Sequence, residues 1–275
     1  MLNRCLLAIV LLTASAHAEG FERTLQVGNA PDLYVSNGSG HIHVFSGSDS
    51  QIQIRAHVYA NWSVLGGSED RIRRIENNPP VRQNGNDVRI GDVPEEDRSI
   101  FNNISIDYEI SVPRAVALNL HNGSGDIRID DVGRFLKADT GSGSIRATGI
   151  PCSADLRTGS GQIELHQQAE AEVRAVLGSG SIRIDGLNGK LTAHTGSGDI
   201  EVSGTVRAGT RLQSGSGSIR VHPGADARYT VDASTGSGSI RLAGANEPDH
   251  HFSKAVNGGG PLIEAHTGSG DIEIE

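Results

Sequence analysis

The chain repeats one pattern of apolar and polar positions around the triplet Gly-Ser-Gly. Two residues after each triplet stands an isoleucine: Ile42, Ile127, Ile145, Ile163, Ile182, Ile200, Ile219, Ile240 and Ile272. Two residues further on the side chain is apolar again, as in Val44, Ile129, Leu165 and Ile274, and the residue between is polar. Alternation with period two predicts a strand with one buried face. The residues before the triplet alternate as well. Three before its first glycine every copy is apolar, from Val35 and Leu120 to Ala265; five before, eight of nine copies are apolar and Thr210 is the exception.

The triplets begin at Gly38, Gly123, Gly141, Gly159, Gly178, Gly196, Gly215, Gly236 and Gly268. From Gly123 to Gly236 they are 18 to 21 residues apart; the gap before Gly123 is 85 and the gap before Gly268 is 32. A fixed period near 20 marks one supersecondary unit stacked on itself. The flanking strands cannot be continuous. Thr140 and Ile145 are five residues apart, an odd step, yet both belong to inward columns. One unbroken strand would turn them to opposite faces. The triplet must therefore break the pleat, and glycine can do so with φ > 0. The expected fold is all-β: a parallel β-solenoid (β-helix or β-roll) with about 18–21 residues and two strands per rung.

The residue just before the triplet shares the inward parity. It reads Asn37, Asn122, Thr140, Thr158, Leu177, Thr195, Ser214, Thr235 and Thr267. Stacked, these side chains form a ladder expected to hydrogen-bond up and down the column. The outward column beside the isoleucines reads His43, Arg128, Arg146, Glu164, Arg183, Glu201, Arg220, Arg241 and Glu273 in chain order. Opposite charges on neighbouring strands favour register by about 0.2–1 kcal/mol each, so this column is read as register specification and not as a binding groove.

Residues 19–121 are expected to form an N-terminal cap with irregular rungs, and 122–275 the regular solenoid, as one continuous domain. The cap carries strand-like runs at Gln51–Tyr59, Asp87–Ile90 and Ile104–Val112, with loop signals at Asn77–Pro80 and Pro94–Asp97. Residues 244–261, with Asp249, His250, His251 and three consecutive glycines, read as a loop inserted before the last rung. Asp271, Glu273 and Glu275 on that rung are expected to discourage edge-to-edge growth.

Composition changes the picture in two places. The formal charge of −9 argues against nucleic acid and anionic lipid as partners. The first 18 residues read as a signal peptide: Arg4, an apolar run from Cys5 to Leu12 too short to span a bilayer, then Ala16-His17-Ala18 before Glu19. Cleavage there leaves a charge of −10, no later apolar run able to cross a membrane, and a single cysteine, Cys152, read as an inert thiol.

Candidate chemistry is sparse. His41 and His43 share an outward face, the right relation for a metal, but no third ligand follows from spacing. His121, His194 and His266 are equivalent positions in non-adjacent rungs. The residue after the triplet is Asp in three copies only (Asp126, Asp199, Asp271), too few for the six to eight oxygens that calcium takes. No phosphate loop, Gly-x-Ser-x-Gly elbow or His-Glu-x-x-His motif occurs, and Ser142 recurs in equivalent form nine times where a nucleophile is needed once. No catalytic residue, metal or cofactor is assigned.

The motifs Asn37-Gly-Ser-Gly-His-Ile-His-Val44, Tyr108-Glu-Ile-Ser-Val-Pro113 and Asn122-Gly-Ser-Gly-Asp-Ile-Arg-Ile129 resemble a bacterial putative-adhesin family of unknown function, over most of residues 21–275. The resemblance implies an exported β-solenoid and supplies no catalytic residues. The expectation is a non-enzymatic envelope, adhesion or interaction protein, periplasmic, surface-bound or secreted, with an envelope or surface partner. The alternative is a carbohydrate-binding or polysaccharide-cleaving β-helix with its site near Trp62 or the 244–261 loop; a calcium-dependent fold is a third, weaker reading.

Overall fold

The computed structural model describes residues 20–60, 68–224, 226–247 and 249–275. The signal-peptide reading, Cys5 and Trp62 fall outside these residues. The described residues form 23 strands in one hydrogen-bonded system that is mostly parallel, the architecture of a solenoid-like stack. Each triplet joins a strand on one wall to a strand on the other. On the first wall Leu118, Leu136, Ala154 and Val173 lie side by side in register; on the second, Ile127, Ile145, Ile163 and Ile182 do. All nine isoleucines after the triplets are at most 1% exposed. Val116, Val132, Ile150 and Leu187 are buried as well, and no fixed spacing in the sequence marks them.

The triplet does break the pleat, and its two glycines do different work. The strand continues through the first glycine and the serine and stops at the second glycine. That residue has positive φ in every copy, for example +117° at Gly125 and +147° at Gly270, a region closed to side chains with a Cβ. The first glycine keeps ordinary φ but sits under the neighbouring rung. A Cβ on Gly141 would lie 2.5 Å from the Gly123 carbonyl oxygen, and one on Gly236 would lie 2.6 Å from that of Gly268. Gly38 has nothing within 4 Å of the same position.

The rungs do not stack in chain order. From Gly38 the order runs through Gly123, Gly141, Gly159, Gly178, Gly196 and Gly215. Beside Gly215 comes the last repeat, Gly268, and only then Gly236. The Gly268 strands are paired on both sides: Thr210 and Val231 both face Ile263, and Val221 and Leu242 both face Ile274. This corrects the expectation of an acidic last rung guarding an open edge. The 21-residue gap from Gly215 to Gly236, the longest in the regular run, is where the chain steps over one extra strand. A step of about 4.8 Å between strands takes one or two more extended residues.

The segment read as a loop at 244–261 instead contains two strands, Ala245–Glu247 and His251–Val256. They lie antiparallel on the outside of the Gly236 rung and close that end. The other end is built similarly. The strands Asp87–Ile90 and Ile104–Val112, both foreseen, form a rung without a triplet outside the Gly38 rung. Gln51–Ala60 and Gly20–Gln26 continue outward, antiparallel. A helix, Ser68–Asn77, buries Ile75 against this end, and a 3-10 helix spans Glu95–Phe101, where the acidic run had suggested only loop. At both ends, then, the first and last triplet rungs lie inside the stack, and antiparallel strands face outward where parallel edges would invite pairing.

Two predictions follow from packing. Gly141→Ala should lower unfolding free energy by about 1–3 kcal/mol through overpacking, while Gly38→Ala, in the same motif, should change it by under about 0.5 kcal/mol. Thr210, 1% exposed, lies between Leu191 and Ile263 and has a hydroxyl with no hydrogen-bond partner among the described residues. Thr210→Val should stabilise by roughly 1 kcal/mol, since it removes a buried unpaired group at nearly constant shape. Chemical denaturation of each variant measures both effects.

Candidate functional site

The longest organised chemistry on the molecule is the charged column beside the isoleucines. In spatial order it reads Glu22, Arg55, Glu109, His43, Arg128, Arg146, Glu164, Arg183, Glu201, Arg220, Glu273, Arg241. Arg55 bridges Glu22 at 2.9 Å and Glu109 at 3.1 Å. Arg146 meets Glu164 at 2.6 Å and Arg183 meets Glu201 at 2.7 Å. Glu273 lies 3.6 Å from Arg220 and 3.9 Å from Arg241. The exchanged order of the last two rungs thus extends the alternation of sign without a break from Arg146 to Arg241. In chain order Arg220 would face Arg241. Exposed pairs contribute about 0.2–1 kcal/mol each, which suits setting register better than holding a ligand.

The one run without alternation, His43-Arg128-Arg146, is compensated by Asp130. Its carboxylate takes a 2.7 Å hydrogen bond from Arg128 and a 2.8 Å bond with His43 Nε2. Burial alone would raise its pKa; the bonds to Arg128 and His43 outweigh that and hold it below the ordinary value. His43 is therefore already engaged, and His41 lies 4.0 Å from Asp126 on the neighbouring rung. The two histidines do not converge on a common point with a carboxylate. Among the described residues no three His, Cys, Asp or Glu side chains are grouped to hold a metal.

The aspartates after the triplets have a structural task. Asp126, Asp199 and Asp271 each accept, at 2.8 Å, the backbone N–H of the serine one rung on: Ser144, Ser218 and Ser239. The buried ladder is also wired differently from the expectation. Its side chains do not bond to one another. Thr158 Oγ1 donates to the Gly143 carbonyl at 2.8 Å, Thr195 to Gly180 at 3.1 Å, Thr267 to Gly217 at 2.8 Å and Thr235 to Gly270 at 2.9 Å. Each caps the second glycine of the preceding rung in space. Leu177 is the one ladder position with no polar atom to give.

Other candidates are dispersed. His121, on the opposite wall, hydrogen-bonds Asp139; His194 stays apart from it, and His266 reaches Ser234 Oγ at 2.7 Å. The Ser234–His266 pair escaped sequence reasoning because the two repeats touch only in the exchanged order. His251, the neighbour of Ser234 on the other side, pairs with Asp232 at 3.2 Å. Cys152 is buried, and burial pushes its thiol up to about 11, where the reactive thiolate is scarce. The triplet serines, such as Ser124, Ser142 and Ser160, are exposed at the corner. A depression of about 90 Å³ near Phe45, Arg55 and Glu109 is well below the roughly 300–1,000 Å³ of ordinary ligand pockets.

The carboxylates give a pH prediction. The Ser239 amide and hydroxyl depress the pKa of Asp271, and the Arg211 hydrogen bond depresses that of Glu264; Asp130 is also lowered. A depressed folded pKa contributes stability above the unfolded value that is lost as pH falls through the folded one. The melting temperature should be flat from neutrality to about pH 5 and fall below about pH 4, with a shallower acid slope in Asp271→Asn.

Comparison with known proteins gives a family and little more. Two structures described as putative adhesins are similar. One is from Parabacteroides distasonis, at 12% identity and TM-score 0.42 over 93% of this chain and 97% of that one. The other is from Bacteroides fragilis, at 14% and 0.36 over 93% and 97%. A protein from P. distasonis described as a putative lipid binding protein aligns at 10% and 0.31, over 93% and 96%. No curated protein matches. The family model for Toastrack DUF4097 matches residues 34–275, and the chain belongs to that family.

Proposed function

We propose that the chain is an exported, non-enzymatic β-solenoid of the bacterial cell envelope, with two strands in each rung of 18–21 residues. Its role is to present long, rigid faces to an envelope or surface partner. The observation that supports this reading is how the polar groups are spent. Wall arginines pair with a carboxylate one rung away, as Arg146 and Arg183 do, or on their own strand, as Arg128 and Arg157 do, and the aspartates and threonines at the corners hold backbone. What remains is a repeating surface, suited to contacts spread over many rungs.

A linear polysaccharide is the second reading for the partner. It is favoured by the row of exposed triplet serines, one hydroxyl per rung at a repeat of about 4.8 Å. Such a row matches a repeating polymer better than a compact ligand.

The test is incubation of residues 19–275 with a panel of bacterial polysaccharides, following both binding and release of new chain ends. The expected result is no turnover. Any binding found should fall less than about threefold for single alanine substitutions at Ser142, Ser160 or Ser179, and far more when all three are changed, as for many weak contacts acting together. Turnover abolished by one substitution would overturn the proposal.

A further inference from the structure

The last two repeats could be stacked on the Gly215 rung in either order. Their inward columns are interchangeable: Ala233 and Ala265, Thr235 and Thr267, Ile240 and Ile272, Leu242 and Ile274 occupy matching positions. Both repeats are therefore shaped to sit next to Leu212, Ser214, Ile219 and Val221. The chain-order arrangement needs only the 21-residue step from Gly215 to Gly236, close to the regular period. The Gly236 repeat also buries Tyr229, which is paired with Val256 of the outer strand; these four matched pairs do not distinguish the two arrangements.

The outward charges do. As observed, Glu273 sits between Arg220 and Arg241 and makes two attractive contacts. In chain order Arg220 would face Arg241 and Glu273 would have one neighbour. Like charges directly opposite on adjacent strands are unfavourable. Other contacts follow the observed order as well: on the other wall Arg211 holds Glu264, where chain order would place the shorter Asp232, and at the corner Asp271 accepts the Ser239 N–H.

We propose that the Arg220–Glu273–Arg241 column encodes the order of the last two rungs, making this end of the solenoid a two-state element held in its latched form. The inference goes beyond the proposed surface role and does not depend on it. In the latched form the last repeat is paired on both sides, and the Gly236 rung is sealed by antiparallel Ala245–Glu247 and His251–Val256. In the chain-order form the Gly268 rung would end the stack with an unpaired parallel edge, a template for association. The latch keeps that edge covered.

Disulfide trapping separates the forms. Gln213 faces His266 in the latched order and would face Ser234 in the other. Adjacent strands are about 4.8 Å apart, within disulfide reach, and next-nearest strands about 10 Å, beyond it. The full chain carrying Cys5→Ala and Cys152→Ala is refolded and oxidised with either Gln213→Cys/His266→Cys or Gln213→Cys/Ser234→Cys. The 213–266 pair should cross-link and the 213–234 pair should not.

Exchanging the two charges, Arg241→Glu with Glu273→Arg, leaves composition unchanged and makes chain order the alternating one. The ratio of 213–234 to 213–266 cross-link should then rise at least about fourfold. Arg220→Glu favours chain order by the same reasoning and serves if the exchanged variant does not fold. Unchanged trapping of 213–266 alone in both variants would overturn the proposal, as would a 213–234 cross-link dominating in the parent.

Discussion

The structure depends on how closely two backbones approach at the Gly-Ser-Gly corner. The carbonyl oxygen of one first glycine occupies the space where a Cβ on the next would be, 2.5 Å away at Gly141. The second glycine then turns with positive φ. Only glycine allows both. The approach fixes the vertical position of each rung at one edge, and the rest follows. It brings the Gly143 carbonyl within reach of Thr158, aligns the isoleucine column, and places each outward charge beside its partner one strand away.

This constraint accounts for the regular register of the triplet rungs among the described residues. The interior of the described residues is mostly Ala, Val, Leu and Ile. Many polar side chains of the walls and corners bond to neighbouring rungs. Asp126 is the plainest case: read as an oxygen ligand it is one of too few, while as an acceptor for the Ser144 amide its position is explained.

Much of this was legible in the sequence because the repeat is strict where backbones touch. The isoleucine column, the two walls and the break at the triplet all follow from parity counting. The location of the turn at the second glycine did not, since both glycines are invariant across the copies. The exchanged order of Gly236 and Gly268 was hidden because their inward residues are equivalent. Two faint signals existed: the 21-residue gap before Gly236, and an arrangement of Arg220, Arg241 and Glu273 that alternates only when the rungs are exchanged. The helix at Ser68–Asn77 was missed because it carries one buried residue, Ile75, and so no apolar stripe. The Ser234–His266 contact was beyond reach without the order.

The account's central claim is that each corner is tied to the next rung in space. In eight triplets the second glycine donates its N–H to the neighbouring rung's triplet serine; Gly143 to Ser160 at 2.9 Å and Gly270 to Ser237 at 2.8 Å are examples. Gly238, in the outermost triplet rung, has no such acceptor among the described residues. Residue-resolved amide hydrogen exchange on the native protein reads this directly. The account predicts slow exchange at Gly40, Gly125, Gly143, Gly161, Gly180, Gly198, Gly217 and Gly270, and fast exchange at Gly238. Rapid exchange at all nine, or protection of Gly238 with Gly270 exposed, would contradict it.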